Sequence, residues 1–135
     1  MSSNVAMCVI KTYTNGWATT RRFHEQVRLP CVFGCRGCED SLQHYVFCNR
    51  LWRLVNAVSR APRNPSVISR LSLQPCSTEN LKDIAVAFTV YHTLKIGHRT
   101  VIDEAMSNSN YRVLATLCKE IAGNANNRFS SLIPQ

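Results

Sequence analysis

The chain has 135 residues, a length that fits one domain or a small module with a helical companion. It carries 16 lysine and arginine residues against 8 acidic residues, a formal net charge of +8, and twelve of the cations are arginine. This bias favours planar, bidentate contacts with phosphate. The length excludes a polymerase or a multidomain enzyme, and no apolar run is long enough to predict a membrane span.

Residues 1–30 are predicted to form an N-terminal helix and a linker. Four apolar residues at four-residue spacing would lie on one face of a helix over residues 2–23. These residues are Val5, Val9, Tyr13 and Trp17. Because Gly16 lowers the helix propensity in the middle of this stretch, two shorter helices are an alternative.

Residues 31–60 are predicted to form a zinc-binding knuckle followed by a helix. Gly34 and Gly37 lie among the cysteines of this segment and indicate a tight turn with positive φ angles. Asp40 or Ser41 would cap the helix, which is expected to continue without a break to near the end of the segment.

Residues 61–135 are predicted to form a helical C-terminal region. Two prolines within 61–65 indicate a break in the chain. Ser77 or Thr78 would then begin the longest helix, which Gly97 would end.

A last helix is expected over residues 109–122, followed by a frayed polar segment at 123–127. The residues of this helix that are expected to face inward are Tyr111, Val113, Leu114, Leu117, Cys118 and Ile121. The predicted fold class is therefore mainly α, with a small CCHC zinc-knuckle turn followed by a helical bundle.

Charge and cysteine are both concentrated in the first half of the chain. Residues 1–70 hold 10 cations and 3 acids, a net of +7, whereas residues 71–135 hold 6 and 5, a net of +1. Four of the seven cysteines fall within residues 31–48, while Cys76 and Cys118 are expected to be core or free thiols. An odd cysteine count without a secretory signal indicates an intracellular compartment, nuclear or cytoplasmic, where clustered cysteines beside a histidine indicate a metal.

Five residues compete for the four positions of a tetrahedral zinc site. They are Cys31, Cys35, Cys38, His44 and Cys48, spaced as C-x3-C and H-x3-C with C-x2-C as a rival first pair. A histidine and a cysteine four residues apart share one face of a helix, and a glycine turn suits the other two ligands. We predict that Cys31, Cys35, His44 and Cys48 bind Zn²⁺, with Cys38 as the alternative ligand.

The stretch from Cys31 to Trp52 resembles the zinc-binding segment that follows the thumb of non-LTR retrotransposon reverse transcriptases. The matching positions are Asp40, His44, Tyr45, Cys48, Leu51 and Trp52. The resemblance extends more loosely over residues 10–100. It implies that this region grips RNA or DNA, with a reverse transcriptase polypeptide, an RNA-directed DNA polymerase, as its partner. The Tyr-x-Asp-Asp carboxylates of such polymerases are absent, so polymerase activity is not implied. The chain is expected to be a fragment of a larger protein.

Six arginines are predicted to contact nucleic acid. They are Arg21, Arg22, Arg28, Arg36, Arg50 and Arg53. Phe33 lies near them and would stack on unpaired bases, and Trp52 is expected to be core beneath the metal site. Tyr45 fits either role. The predicted function is non-catalytic, zinc-stabilised binding of RNA or DNA, without a membrane or a small-molecule substrate as a partner.

Two other functions fit parts of the sequence. One is a zinc-knuckle adaptor for protein–protein interaction, with the apolar helix 78–96 as its docking face. The other is an enzyme with a catalytic zinc, which is disfavoured because four protein ligands leave no open position for water. The sequence also contains no glycine-rich phosphate loop, G-x-S-x-G or H-E-x-x-H motif.

Overall fold

A computed structural model describes residues 3–26, 28–59 and 78–130. These residues form six helices: α1 (Ser3–Tyr13), α2 (Leu42–Phe47), α3 (Asn49–Val58), α4 (Thr78–Gly97), α5 (Arg99–Asn108) and α6 (Arg112–Ser130). Extended pairing in the described part of the chain is limited to one antiparallel bridge, between Pro30 and Glu39. The prediction of a mainly α fold with a small cysteine-rich turn ahead of a helical bundle is confirmed.

The N-terminal helix is shorter than predicted. It ends at Tyr13, and Asn15 then adopts a left-handed φ of 56°. Trp17 is only 2% exposed, but it enters the core from the loop after α1 and not from a helical stripe. Tyr13, which was expected to share that stripe, is 47% exposed. No second helix follows within the described residues before 42.

The helix predicted after the turn begins as expected but is divided in two. Ser41 caps α2, because its side chain accepts a hydrogen bond from the backbone N–H of His44 at 3.2 Å. Cys48 then has an extended backbone, with φ −68° and ψ 106°, and separates α2 from α3. The prediction of one continuous helix is therefore wrong, and the break turns the side chain of Cys48 back toward the cysteine turn.

Helix α4 forms the centre of the molecule. It packs against α1, α3, α5 and α6. Four successive residues, at 84–87, are buried, and since successive helical residues point in different directions, the helix is covered all round. Gly97 ends it as predicted. Because most of α4 is buried, it does not offer the apolar docking face that was expected of an adaptor.

The C-terminal part contains more helix than predicted. Helix α5 was not expected, and α6 continues to Ser130 through the segment that was expected to fray. Ala125 and Phe129 are 4% and 2% exposed, so they extend the buried stripe of Cys118. Val113, which was expected to face inward, is 68% exposed.

Several predictions fall on residues that the structure does not describe. These are the break at 61–65, the alternative cap at Ser77, and the environment of Cys76. Across the described helices, none is both long enough and apolar enough to cross a bilayer.

Candidate metal centre and neighbouring surfaces

The cysteine turn is closed by backbone hydrogen bonds across its base. The N–H of Cys31 donates to the carbonyl of Cys38 at 2.8 Å, and the N–H of Asp40 donates to the carbonyl of Leu29 at 2.9 Å. Between these bonds the chain reverses through Gly34 and Gly37, with φ angles of 94° and 69°. The prediction of positive φ at both glycines is confirmed.

Gly34 has a second reason to lack a side chain. A Cβ atom at this position would lie 2.9 Å from Cε1 of Tyr111, which is closer than real Cβ contacts allow. Tyr111 immediately precedes α6, and its ring therefore lies directly against the turn. Any larger residue at position 34 would have to displace the ring of Tyr111.

Four side chains converge at the turn. The ligand atoms of Cys31, Cys35, His44 and Cys48 all lie within 4.8 Å of one another, so the group can hold a metal ion. Sγ of Cys48 is 3.8 Å from Sγ of Cys31 and 3.7 Å from Sγ of Cys35. Two sulfurs bound tetrahedrally to one zinc at about 2.3 Å are about 3.8 Å apart. The observed separations match that edge and are far too long for disulfides.

The hydrogen bonding and the pKa shifts of the cluster also favour the binding of a cation. Nε2 of His44 is buried and has no hydrogen-bond partner among the described residues, and burial lowers its pKa. The hydrogen bond that the Cys31 thiol donates to Cys48, together with burial, raises the pKa of Cys31. Burial and the charge of Cys31 raise the pKa of Cys35. Without a cation the thiols of Cys31 and Cys35 are held protonated. A dication favours the thiolates and gives the imidazole nitrogen a partner.

Cys38 lies outside this cluster. Its Sγ contacts the backbone carbonyl of Arg36 at 3.5 Å, and its own carbonyl closes the base of the turn. The five sequence candidates are thereby separated into four that converge and one that does not. The backbone N–H of Phe33 also donates to Sγ of Cys31 at 3.4 Å, which favours a thiolate at that position.

A buried carboxylate next to the turn was missed as a structural centre. Asp40 is 0% exposed. Its Oδ1 accepts hydrogen bonds from the hydroxyls of Tyr45 at 2.5 Å and Tyr91 at 2.8 Å. Its Oδ2 accepts from the backbone N–H of Thr20 at 2.8 Å and forms an ion pair with Lys95 at 3.1 Å. Asp40 thus joins the turn, the loop after α1, α2 and α4.

The aromatic residues around this carboxylate form one stack. The ring of Trp17 lies 5.8 Å from that of Tyr45 and 5.1 Å from that of Tyr91, centroid to centroid. Tyr91 and Lys95 are four residues apart on α4, a spacing that places them on one face and is a signal in the sequence. Trp52 is 6% exposed and donates to the carbonyl of Tyr45 at 2.9 Å, so its predicted place in the core is confirmed. Tyr45 is buried too and offers no stacking surface.

The predicted nucleic-acid contacts Arg21, Arg22 and Arg28 lie close together. Arg21 donates to both carboxylate oxygens of Glu39, at 3.2 and 3.0 Å, and Arg28 is 3.4 Å from the same carboxylate. The guanidinium of Arg22 instead lies 4.7 Å from the ring centroid of Phe23, which is 53% exposed. Phe23 was not predicted as a functional residue.

A cavity of about 230 Å³ lies beside this surface. Its lining is polar and consists of Asn15, Thr19, Arg21, Arg22, His24 and Gln43. Phe47, 64% exposed, follows Gln43 by one turn of α2 and presents a second exposed ring. We call Arg21, Arg22, Phe23, His24 and Gln43 the arginine–phenylalanine surface.

The other three predicted arginines lie elsewhere. Arg36 is exposed on the cysteine turn. Arg50 and Arg53 line an open groove of about 440 Å³ between α3 and α6, which also contains Phe33 and Tyr111. Phe33 is 5% exposed, so it forms the wall of this groove and does not offer a free stacking face.

No protein-family model matches the chain, and neither does any curated protein or solved structure. The resemblance to the zinc-binding segment of reverse transcriptases therefore stays a prediction. It depends on residues 31–52, whose roles in this fold are described above.

Proposed function

We propose that the chain is a non-catalytic, zinc-stabilised module that binds single-stranded RNA or DNA. The zinc part of the proposal is supported by the sulfur–sulfur separations of 3.8 and 3.7 Å and by the unpartnered, buried Nε2 of His44. Three cysteines and one histidine are a common ligand set for structural zinc, and softer sulfur ligands disfavour magnesium or calcium.

The zinc has a structural role in this proposal. Four protein ligands complete its tetrahedron and leave no coordination position for a substrate or a reactive water. A small turn of this kind buries little apolar area of its own, so the metal supplies the folding free energy that it lacks. The bound turn then fixes the loop after α1 through Asp40.

The nucleic-acid part is carried by one observation, the exposed pair of Arg22 and Phe23 beside a polar cavity. An exposed aromatic ring stacks on an unpaired base, and an arginine next to it contacts phosphate or stacks as well. His24 and Gln43 add donors and acceptors for base edges at the same cavity. The resemblance to reverse transcriptase zinc-binding segments points to the same class of ligand.

The test is fluorescence anisotropy with labelled single-stranded RNA and DNA of one mixed sequence, in low and moderate salt. We expect Phe23→Ala to weaken binding on the order of tenfold, since base stacking contributes about 1–3 kcal/mol per base. Arg22→Glu should weaken binding further and flatten its salt dependence, because a phosphate contact is lost.

The matched control for the charge change is Arg112→Glu, which reverses an exposed arginine at the start of α6. Phe23→Tyr keeps an aromatic ring and should bind as the unchanged protein does. Equal affinity of the unchanged protein and all four variants would refute the arginine–phenylalanine surface as the binding site. Absence of binding to either nucleic acid at low salt would refute the proposed function itself.

The contacts of all six arginines with nucleic acid stay predictions. Arg28 already shares the carboxylate of Glu39 with another arginine, which reduces its net attraction for phosphate. Arg50 and Arg53 border a groove whose other lining residues are mostly apolar.

A further inference from the structure

The groove between α3 and α6 has an apolar floor. On α3 it is lined at positions 50, 53, 54, 57 and 58, the spacing of one helical face. On the other side the lining runs from Tyr111, just before α6, to Ala122 on α6, about 16 Å at 1.5 Å per residue. The groove is therefore a channel as long as three helical turns, and not a compact pocket.

Small side chains keep this channel open. Ala57 and Ala115 are exposed on its two sides, and Leu114, Cys118 and Ala122 are buried beneath them. Exposed apolar residues that line a continuous groove between two helices mark a surface that another molecule covers. An isolated exposed alanine would carry no such meaning.

The rim of the channel is cationic. Arg50, Arg53 and Lys119 are exposed and line it, and none of them forms an ion pair with an acidic residue in the described part of the chain. Arg50 also lies 5.9 Å from the ring centroid of Tyr111, which holds its guanidinium over the groove. No acidic side chain lines the channel.

We infer that this channel binds an amphipathic α-helix of a partner protein whose apolar face is flanked by aspartate or glutamate. The length and the apolar floor fit three turns of a helix, and the three cations complement acidic flanks. A nucleotide fits less well, since base edges need hydrogen-bond partners that this largely apolar lining does not supply. The inference goes beyond nucleic-acid binding and uses a different surface.

The test uses two displayed peptide libraries of about 16 residues, roughly four helical turns. Both have Leu, Ile, Phe or Met at helical i, i+3, i+4 and i+7 positions, and the flanks are Glu in one library and Lys in the other. We expect the zinc-loaded protein to enrich binders from the Glu library alone. Failure to enrich any binder from it overturns the inference.

Three variants test whether the enriched peptides bind in the channel. Ala115→Arg places a large polar group in the channel without removing a cation, and it should weaken binding about tenfold or more if apolar contact is required. Thr116→Arg adds the same charge at the next residue of α6, outside the lining, and should bind normally. Arg50→Glu/Arg53→Glu should lose the Glu-flanked peptides and bind Lys-flanked versions of them, a reversal that only charge complementarity explains.

Two further outcomes assign the channel to something else and overturn the inference. One is displacement of the peptide by single-stranded RNA, with the Phe23→Ala variant showing the same displacement. The other is a concentration-dependent dimer in sedimentation that Ala115→Arg abolishes, which makes a second copy of the chain the occupant. The inference is supported if Phe23→Ala leaves peptide binding unchanged and single-stranded RNA does not compete with the peptide.

Discussion

Residues 17–48 and the helices α4 to α6 bury their side chains by different means. In the first region, buried polar groups set the structure: Asp40 has four partners, and four potential metal ligands converge within 4.8 Å. In the second, most of the buried side chains are apolar, among them Leu94, Ile102 and Phe129, although Lys82 is buried as well. Apolar packing tolerates many side-chain combinations, whereas a buried polar centre requires particular partners at particular distances.

The two regions meet on one face of α4. Tyr91 and Lys95 contact Asp40, and the imidazole of His92 accepts a hydrogen bond from the backbone N–H of Ala18 at 3.0 Å. The apolar helices thus carry the polar groups that fix the loop and the turn. We therefore expect that single substitutions in the polar region will lower the free energy of unfolding more than substitutions of exposed polar residues elsewhere.

Removal of the metal should have the largest effect. We expect one zinc per chain by elemental analysis, and Cys48→Ser should lose it together with the fold of residues 31–48. Structural zinc contributes on the order of 10 kcal/mol to the folding of small zinc domains. Amide hydrogen exchange should show lost protection in the turn, with α4 and α6 the last to lose theirs.

Cys38→Ser is the matched control for this experiment, because Cys38 lies in the same turn but outside the cluster. It should retain the zinc and the unfolding temperature. A protein that is zinc-free yet has an unchanged structure would contradict the metal centre. Loss of zinc from Cys38→Ser as well as from Cys48→Ser would show the rival ligand set, in which Cys38 takes the place of Cys31.

Asp40→Asn should have the next largest effect. The amide cannot balance the buried ammonium of Lys95, and it replaces an acceptor by a donor among four hydrogen-bond donors. Breaking a buried pair in this way costs about 4 kcal/mol. Urea unfolding of the zinc-loaded protein measures this loss in the free energy of unfolding.

The control for Asp40→Asn is Asp103→Asn, whose carboxylate pairs with Arg99 on the surface at 3.5 Å. Exposed pairs of this kind contribute about 0.5 kcal/mol. If the two substitutions had equal effects, the contrast between the polar region and the rest of the molecule would not hold.

A smaller effect is expected from acid. Burial lowers the pKa of His92 below its ordinary value of 6.5, and its ring accepts from Ala18 only when neutral. As the pH falls, His92 is therefore protonated at a higher pH in the unfolded chain than in the folded chain. The stability contributed by the neutral ring is present above pH 6.5 and is lost as the pH falls through the lowered value.

Urea unfolding at about pH 7.5 and about pH 5.5 isolates this contribution when it is compared with His92→Gln. The unchanged protein should lose more stability between the two pH values than the variant does. His24→Gln, which removes an exposed imidazole, is the control and should behave as the unchanged protein. The same pH dependence in all three proteins would show that His92 is not responsible.

Much of the fold could be predicted because it depends on local sequence. Ser41 was one of two candidate helix caps, Gly34 was recognised as a turn residue and Gly97 as a helix end, since each acts on its immediate neighbours. The end of α1 and the length of α6 were mispredicted for the same reason. Helical spacing alone did not show that Trp17 reaches the core from a loop, or that Phe129 is buried by contacts far away in the sequence.

The sequence by itself determined the helical class, the basic first half and the group of five candidate ligands, because periodicity, charge and spacing are local properties. Only the tertiary structure showed that Cys38 lies outside the cluster of candidate ligands. It also showed that the break at Cys48 directs the Cys48 sulfur toward that cluster. It also decided that Asp40 is a buried centre, through partners as distant as Tyr91, and that Arg50 and Arg53 border an apolar channel. Such contacts arise when separate helices pack, and no local pattern specifies them.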